Sequence, residues 1–278
     1  MDSFLIAALQ MNSQPDAGMN LARAERMVEE AVEKKARCVL LPENFAFLGD
    51  DTEKHRQAES IERRVMQEVP QWAARHRIYV MAGGFPARAD SGKVYNRSVM
   101  FGPDGALLAQ YDKIHLFDIS LSVEESYRES ELVEAGRIAP VVCHTSLGER
   151  KSSPYGGARF GLSICYDVRF PELYRELAGQ HADVLCVPSA FTRPTGEAHW
   201  EVLLRARAIE NTAYVAAPAQ TGLHGESRTT HGHSMIIDPW GNILADAGTD
   251  TGVIMAAIDL NLIRETRKKL PSLQHRKL

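Results

Sequence analysis

The chain repeats itself once, and that repeat limits what it can fold into. Phe4–Leu9 and Phe160–Cys165 both read as opening strands. A helix-like segment follows each, Asn20 to Lys35 and Pro171 to His181. Val39–Phe45, with Pro42 inside it, then parallels Leu185–Phe191, with Pro188 inside it. Further helices are expected at Ser60 to Arg75 and at His199 to Asn211, and Ile78–Gly83 parallels Ala213–Pro218. Each half closes with a hairpin, Ser98–Leu108 around Pro103 and Gly105, and Ser234–Leu244 around Pro239 and Gly241. Pro and Gly two residues apart between apolar runs mark a turn.

Two strand–helix–strand halves with antiparallel hairpins imply two mixed sheets, each with helices on one face. The other face of each sheet is apolar and needs a cover. Packing the sheets face to face supplies it, so an α/β fold is expected: a four-layer α-β-β-α sandwich with internal pseudo-duplication. Residues Gly136 to Arg159 join the halves through a short strand, Val141–His144, and a polar turn, Ser152–Gly157. Without a low-complexity linker there, residues 1–278 read as one domain.

The 278 residues are 44% hydrophobic, enough for one large core or two fused halves. Net charge is −4 with no long basic block, so neither a nucleic acid nor a membrane surface is an expected partner. The four cysteines are widely spaced and form no C-x-x-C, which fits free thiols in a reducing, cytoplasmic compartment. Met1–Gln10 carries an early acid and a short apolar run, the pattern of a first strand rather than a signal peptide. No apolar stretch approaches the ~20 residues that span a bilayer.

Cys165 ends an apolar run and is followed by Tyr166-Asp-Val-Arg169-Phe-Pro171-Glu172. Pro at a first helical position and acid in the first turn mark a helix start. A thiol on such a strand-to-helix turn stands clear of the sheet edge. The N–H groups after it are then free to hold a developing oxyanion. Cys38, Cys143 and Cys186 lie inside apolar runs and read as core.

The repeat also exposes an asymmetry: after the matched prolines stand Glu43 in one half and Ser189 in the other. An acid near the seam between sheets is costly unless paired or functional. A thiol with a pKa near ~8.5 needs a base, and Glu43 could serve. Lys113, in Tyr111-Asp-Lys-Ile-His115, could hold an oxyanion together with the Tyr166 N–H. Glu129 could hold Lys113 in place. Taken singly, Glu43, Lys113 and Glu129 read as solvated charges; taken jointly they supply a base, an oxyanion donor and its anchor.

Leu41-Pro-Glu43, Tyr111–His115 and Ile164–Glu172 together resemble the three catalytic motifs of the nitrilase superfamily, the carbon–nitrogen hydrolases. The resemblance runs from the first strand to Pro271. It implies Glu43 as general base and acid, Lys113 as oxyanion stabiliser, Cys165 as nucleophile and Glu129 as a supporting acid. It also implies no cofactor and a homodimer, with the 171–181 helix and the 270–278 tail as contact surfaces.

Ser189–Glu210, Gly232–Ser234, Asp238–Gly241 and Leu270–Arg276 resemble the Nit branch of that superfamily. This implies a small linear amide as substrate: deaminated glutathione, or 2-oxoglutaramate as the alternative. Nitrile or carbamoyl substrates use the same thioester chemistry. Such keto-acid amides carry an anion, and Arg169 could bind it bidentately, with Thr195 as hydroxyl donor and Phe191 as apolar wall. Pairing of Arg169 with Glu172 or Glu176 is the competing reading. His231 and His233 are the one close His pair; no H-E-x-x-H or Cys/His cluster accompanies them, so no metal site is expected. Nor is there a phosphate-binding glycine loop. A scaffold that had lost its chemistry would not be expected to keep all four catalytic residue types.

Overall fold

A computed structural model of the chain describes residues 3–120, 126–148 and 156–277. The first half contains β1 (Ser3–Gln10), α1 (Ala17–Glu33), β2 (Cys38–Leu40), α2 (Asp51–Arg56), α3 (Ala58–His76), β3 (Tyr79–Arg88), β4 (Val94–Phe101) and β5 (Leu107–Asp112). A small hairpin, β6 (Asp118–Ser120) and β7 (Ser126–Arg128), and then β8 (Val141–His144) lead to the second half. That half runs β9 (Arg159–Leu162), α4 (Pro171–Gly179), β10 (Val184–Cys186), α5 (Arg193–Asn211) and β11 (Tyr214–Ala217). It continues with the hairpin β12 (Thr221–His224) and β13 (Arg228–His231), then β14 (Met235–Ile237), β15 (Ile243–Asp246), β16 (Gly252–Asp259) and α6 (Leu260–Lys269). Most of the polar turn Ser152–Gly157, and Leu278 of the tail, lie outside the described residues.

The expected α-β-β-α sandwich is present. One sheet has the order β16-β1-β2-β3-β4-β5, the other β15-β14-β11-β10-β9-β8. In each, three parallel strands are followed by an antiparallel pair. The last strand of each half crosses to the other sheet. β8 pairs antiparallel with β9, and β16 pairs antiparallel with β1 over all eight residues, Ser3 opposite Asp259 through Gln10 opposite Gly252. Each sheet is therefore completed by a strand from the other half.

The period-two alternation of strands sorts residues between two cores. Ile6, Ala8, Cys38, Leu40 and Met81 point into the seam between the sheets. Ala7, Leu9, Val39, Leu41 and Val80 point the other way, onto Leu21 and Val28 of α1 and Ile61, Val65 and Trp72 of α3. Across the seam the Phe4 ring lies 6.5 Å from that of Phe160.

Several boundaries differ from the sequence reading. The Val39–Phe45 and Leu185–Phe191 runs are strands only as far as Leu40 and Cys186, just before Pro42 and Pro188. Proline has no N–H to give a ladder. The strand expected to reach Cys165 stops at Leu162. α5 begins six residues before His199, because Pro194 opens it in the first turn. α1 begins at Ala17, where the Asp16 carboxylate accepts the Met19 N–H at 2.9 Å. The tail turns back on its own chain, with Arg276 Nη2 3.5 Å from Glu176 Oε1 of α4. No helix among the described residues is long and apolar enough to cross a membrane.

Candidate active site

Pro42 ends the β2 ladder and leaves Glu43 at the strand's end, 3% exposed. The next residue, Asn44, has φ +58°, and its N–H donates to Gly84 O at 2.6 Å. This brings the chain hard against β3, where only glycine fits. A Cβ on Gly83 would lie 2.3 Å from Leu41 O, and one on Gly84 would lie 2.2 Å from Asn96 Oδ1. Three donors hold the Glu43 carboxylate. Asn96 Nδ2 (2.8 Å) and Lys113 Nζ (3.3 Å) reach Oε1, and the Ala190 N–H (2.9 Å) reaches Oε2.

Lys113 follows β5 and is 2% exposed. Its ammonium donates to both oxygens of Glu129, at 3.1 and 2.8 Å, as well as to Glu43. Glu129 is fixed in turn by the Phe117 N–H at 2.6 Å and by Asn96 Nδ2 at 3.3 Å. Lys113 thus lies between two carboxylates, buried and fully paired.

Cys165 opens the single turn Cys165–Arg169 with φ +50°, a left-handed conformation that costs a non-glycine residue free energy. Its N–H is tied to Pro188 O at 2.9 Å. Asp167, fully buried, braces the turn. Its Oδ2 accepts the Ile164 N–H (2.8 Å) and the Tyr111 hydroxyl (2.7 Å). Its Oδ1 accepts the His115 N–H (3.2 Å) and lies 2.7 Å from His115 Nδ1. The His115 ring stacks on Phe170 at 3.7 Å. Tyr111 and His115, from the motif around Lys113, are thereby locked to the cysteine turn. Among the described residues the Tyr166 N–H has no acceptor; it is an open donor beside the sulfur.

Burial and the Glu43 charge push the Cys165 thiol well above its ordinary value, and Lys113 only partly offsets them. Burial would raise Glu43 as well. The Lys113 charge, hydrogen bonds from Cys165 and Asn96, and the Arg228 charge outweigh it, so Glu43 lies below the usual carboxylate value. Burial opposes the charge on Lys113 too, but Glu129 and Glu43 hold its ammonium firmly protonated. The resting site is therefore a neutral thiol hydrogen-bonded to a carboxylate, beside a fixed positive charge.

The cluster opens into a cavity of about 440 Å³. Glu43, Lys113, Glu129 and Cys165 line it, and so do Tyr166, Phe191 and Thr195. Arg169 does not. Its guanidinium lies over the Tyr166 and Phe191 rings, 5.7 and 5.3 Å from their centroids, with Nη1 3.3 Å from His199 Nδ1. It therefore supports two cavity walls from outside the lining, and its hydrogen-bond partner is His199 rather than Glu172 or Glu176. The Thr195 hydroxyl is shared with Thr192 at 2.8 Å. His231 and His233 stack with centroids 4.7 Å apart, and His233 Nδ1 lies 3.1 Å from both Asp246 oxygens.

Sequence reasoning missed Asn96, Lys54 and Arg228. Asn96 carried a signal: it shares a strand face with Val94 and Ser98, both buried. Lys54 and Arg228 come from α2 and from the start of β13, elements with no counterpart in the repeat.

A profile of the carbon–nitrogen hydrolase family matches residues 5–268. The chain belongs to that family. It is 51% identical, over 99% of both chains, to deaminated glutathione amidase of Synechocystis sp.. It is 40% identical to the Homo sapiens protein of that name, over 98% of this chain and 82% of the other. Among solved structures, the C. elegans NitFhit protein superposes with a TM-score of 0.87 at 39% identity, covering 100% of this chain and 66% of that one. Saccharomyces cerevisiae Nit3, described as a member of branch 10 of the nitrilase superfamily, superposes with a TM-score of 0.83 at 31% identity, covering 97% and 95%. The family resemblance read from three short motifs thus extends over the whole carbon–nitrogen hydrolase fold.

Proposed function

We propose that this carbon–nitrogen hydrolase is a thiol amidase that cleaves deaminated glutathione to 2-oxoglutarate and cysteinylglycine. The observation that carries the chemistry is the thiol–carboxylate–ammonium cluster opening on one cavity. The substrate rests on the 51% identity to a protein named for that activity.

Glu43 takes the Cys165 proton as Sγ bonds to the amide carbonyl carbon. The carbonyl π electrons move onto oxygen, where the Lys113 ammonium and the Tyr166 N–H receive the charge. When the intermediate collapses, the C–N bond breaks and Glu43 passes the proton to the departing nitrogen. Water then attacks the thioester, giving its proton to Glu43, and the sulfur leaves as thiol once that proton returns. Glu43 thus serves as base and acid in turn, which suits a carboxylate fixed by three donors. Glu129 is a positioning residue that holds Lys113.

The site works without a cofactor in this reading. The strand exchange between sheets supports a single domain over 1–278, the buried free thiols suit the cytoplasm, and a homodimer is the oligomer expected on general grounds, since oligomers of one chain most often close as two-fold dimers. The deciding experiment compares kcat/KM for deaminated glutathione and for 2-oxoglutaramate. A tenfold preference for 2-oxoglutaramate overturns the assignment. Cys165→Ala must abolish turnover of both in a folded protein.

A further inference from the structure

Among the described residues around the cavity, the charged groups are well paired except Arg228, which keeps an N–H without an acceptor. Lys113 is held by Glu129 and Glu43. Arg128 lies close enough to Asp118 for its charge to lower that carboxyl. Arg228, at the start of β13, lines the cavity with its side chain 20% exposed. Its Nε is completely buried and, among the described residues, has no hydrogen-bond acceptor. Among the described residues it pairs with Asp51 Oδ1, 3.6 Å from Nη1, and that carboxylate is already taken by Lys54 Nζ at 2.7 Å. The guanidinium also lies over the Tyr127 ring at 5.9 Å.

A buried guanidinium N–H without a partner is costly unless something supplies the acceptor. Two cations here share Asp51, which is 2.7 Å from Lys54 but 3.6 Å from Arg228, so the guanidinium is the more weakly paired of the two. Both cations are held in position. Lys54 Nζ also lies 3.4 Å from Asn44 Oδ1, next to the catalytic carboxylate. The β12–β13 hairpin that presents Arg228 is pinned by buried His224, with Nδ1 2.7 Å from Ser13 O and Nε2 2.6 Å from Thr230 Oγ1.

The recess also lies beside the group that moves the proton. The departing amine must leave where Glu43 can protonate it. Arg228 is close enough to help lower Glu43, and Lys54 reaches the residue next to it.

We infer that Arg228 and Lys54 form a carboxylate-binding recess for the leaving-group half of the substrate. It selects amides whose amine portion ends in a free carboxylate. This rests on the amidase reading above and adds to it: deaminated glutathione has such a carboxylate on its glycine, and 2-oxoglutaramate has none.

The test compares deaminated glutathione with its glycine carboxamide, which keeps size and scissile bond and removes one charge. The wild-type protein prefers the acid by at least about 30-fold in kcat/KM, the scale of losing one charge partner. Arg228→Gln brings that ratio close to one, Arg228→Lys retains part of it, and Lys54→Gln lowers it. Thermal melts establish that each variant is folded. A wild-type ratio near one, or a ratio unchanged in Arg228→Gln while both rates fall together, overturns the recess. The second result would make Arg228 only an electrostatic support for Glu43. If wild type cleaves neither compound, the amidase substrate is wrong. Titrating cysteinylglycine and its carboxamide into Cys165→Ala, with and without Arg228→Gln, then still decides the recess: equal affinities refute it.

Discussion

Gly84 touches no substrate, yet its replacement should disable the enzyme. A Cβ there would lie 2.2 Å from Asn96 Oδ1 and 3.0 Å from Glu43 Cγ. Ordinary contact needs about 3.4 Å, so Asn96 must retreat by roughly 1 Å. Its Oδ1 loses nothing by moving, because it has no partner among the described residues. Its Nδ2 does lose, because that group holds Glu43 at 2.8 Å and Glu129 at 3.3 Å. A hydrogen bond to a charged group contributes about 1.5–3 kcal/mol, or roughly 10- to 150-fold in rate if it is needed in the transition state. A misplacement of ~1 Å independently predicts about 10²-fold.

Gly84→Ala should therefore lower kcat some 100-fold with saturating amide, while the added methyl costs about 1–3 kcal/mol of stability and leaves a folded protein. The mechanism is checked by a double-mutant cycle. Asn96→Ala removes the same hydrogen bond and opens the space, so adding Gly84→Ala to it should change kcat by less than about threefold. Wild-type kcat in folded Gly84→Ala refutes the argument, and so do single effects that multiply in full.

Glu43 is held below its ordinary value of 4.5 and stays ionised as pH falls, so kcat/KM should be flat from neutrality into that range. Its acid limb should lie below 4.5, and a midpoint near 6 would assign the base elsewhere. The thiol is raised and protonated at rest, so alkylation of Cys165 by iodoacetamide should be slow at neutral pH and speed up as pH rises; a rate already at its maximum at neutrality would mean a preformed thiolate. Asp167→Asn places an amide NH₂ against two of the donors that the carboxylate now accepts, each stranded donor costing about 1–3 kcal/mol. An unchanged urea midpoint would contradict that. Light scattering at micromolar protein should give a dimer mass; a monomer would overturn the homodimer.

The parts of this molecule that were legible in its sequence are those the repeat encodes. Continuous apolar runs marked β1 and β9 as matched opening strands, because each is buried on both faces. The matched Pro42 and Pro188 aligned the two halves, and the acid that follows only one of them exposed Glu43. What stayed hidden lies where the repeat is broken. α2 and the β6–β7 and β12–β13 hairpins are short, polar and without an apolar period, so no pattern announced them. Yet they carry Lys54, Tyr127 and Arg228 into the cavity. The exchange of β8 and β16 was equally silent, since a strand's sequence records its buried faces and not which neighbour it pairs with. Arg169, four residues after the nucleophile, reads as a carboxylate clamp; its guanidinium packs over Tyr166 and Phe191, two residues of the cavity wall. Arg228, whose Nε has no acceptor among the described residues, comes from a distant hairpin, placed there by buried His224, whose ring nitrogens tie β12 to Ser13 and to Thr230 of β13. Burial holds that imidazole down to about 4, so it stays neutral at physiological pH. It can therefore anchor the hairpin without adding charge to the recess that Arg228 and Lys54 line.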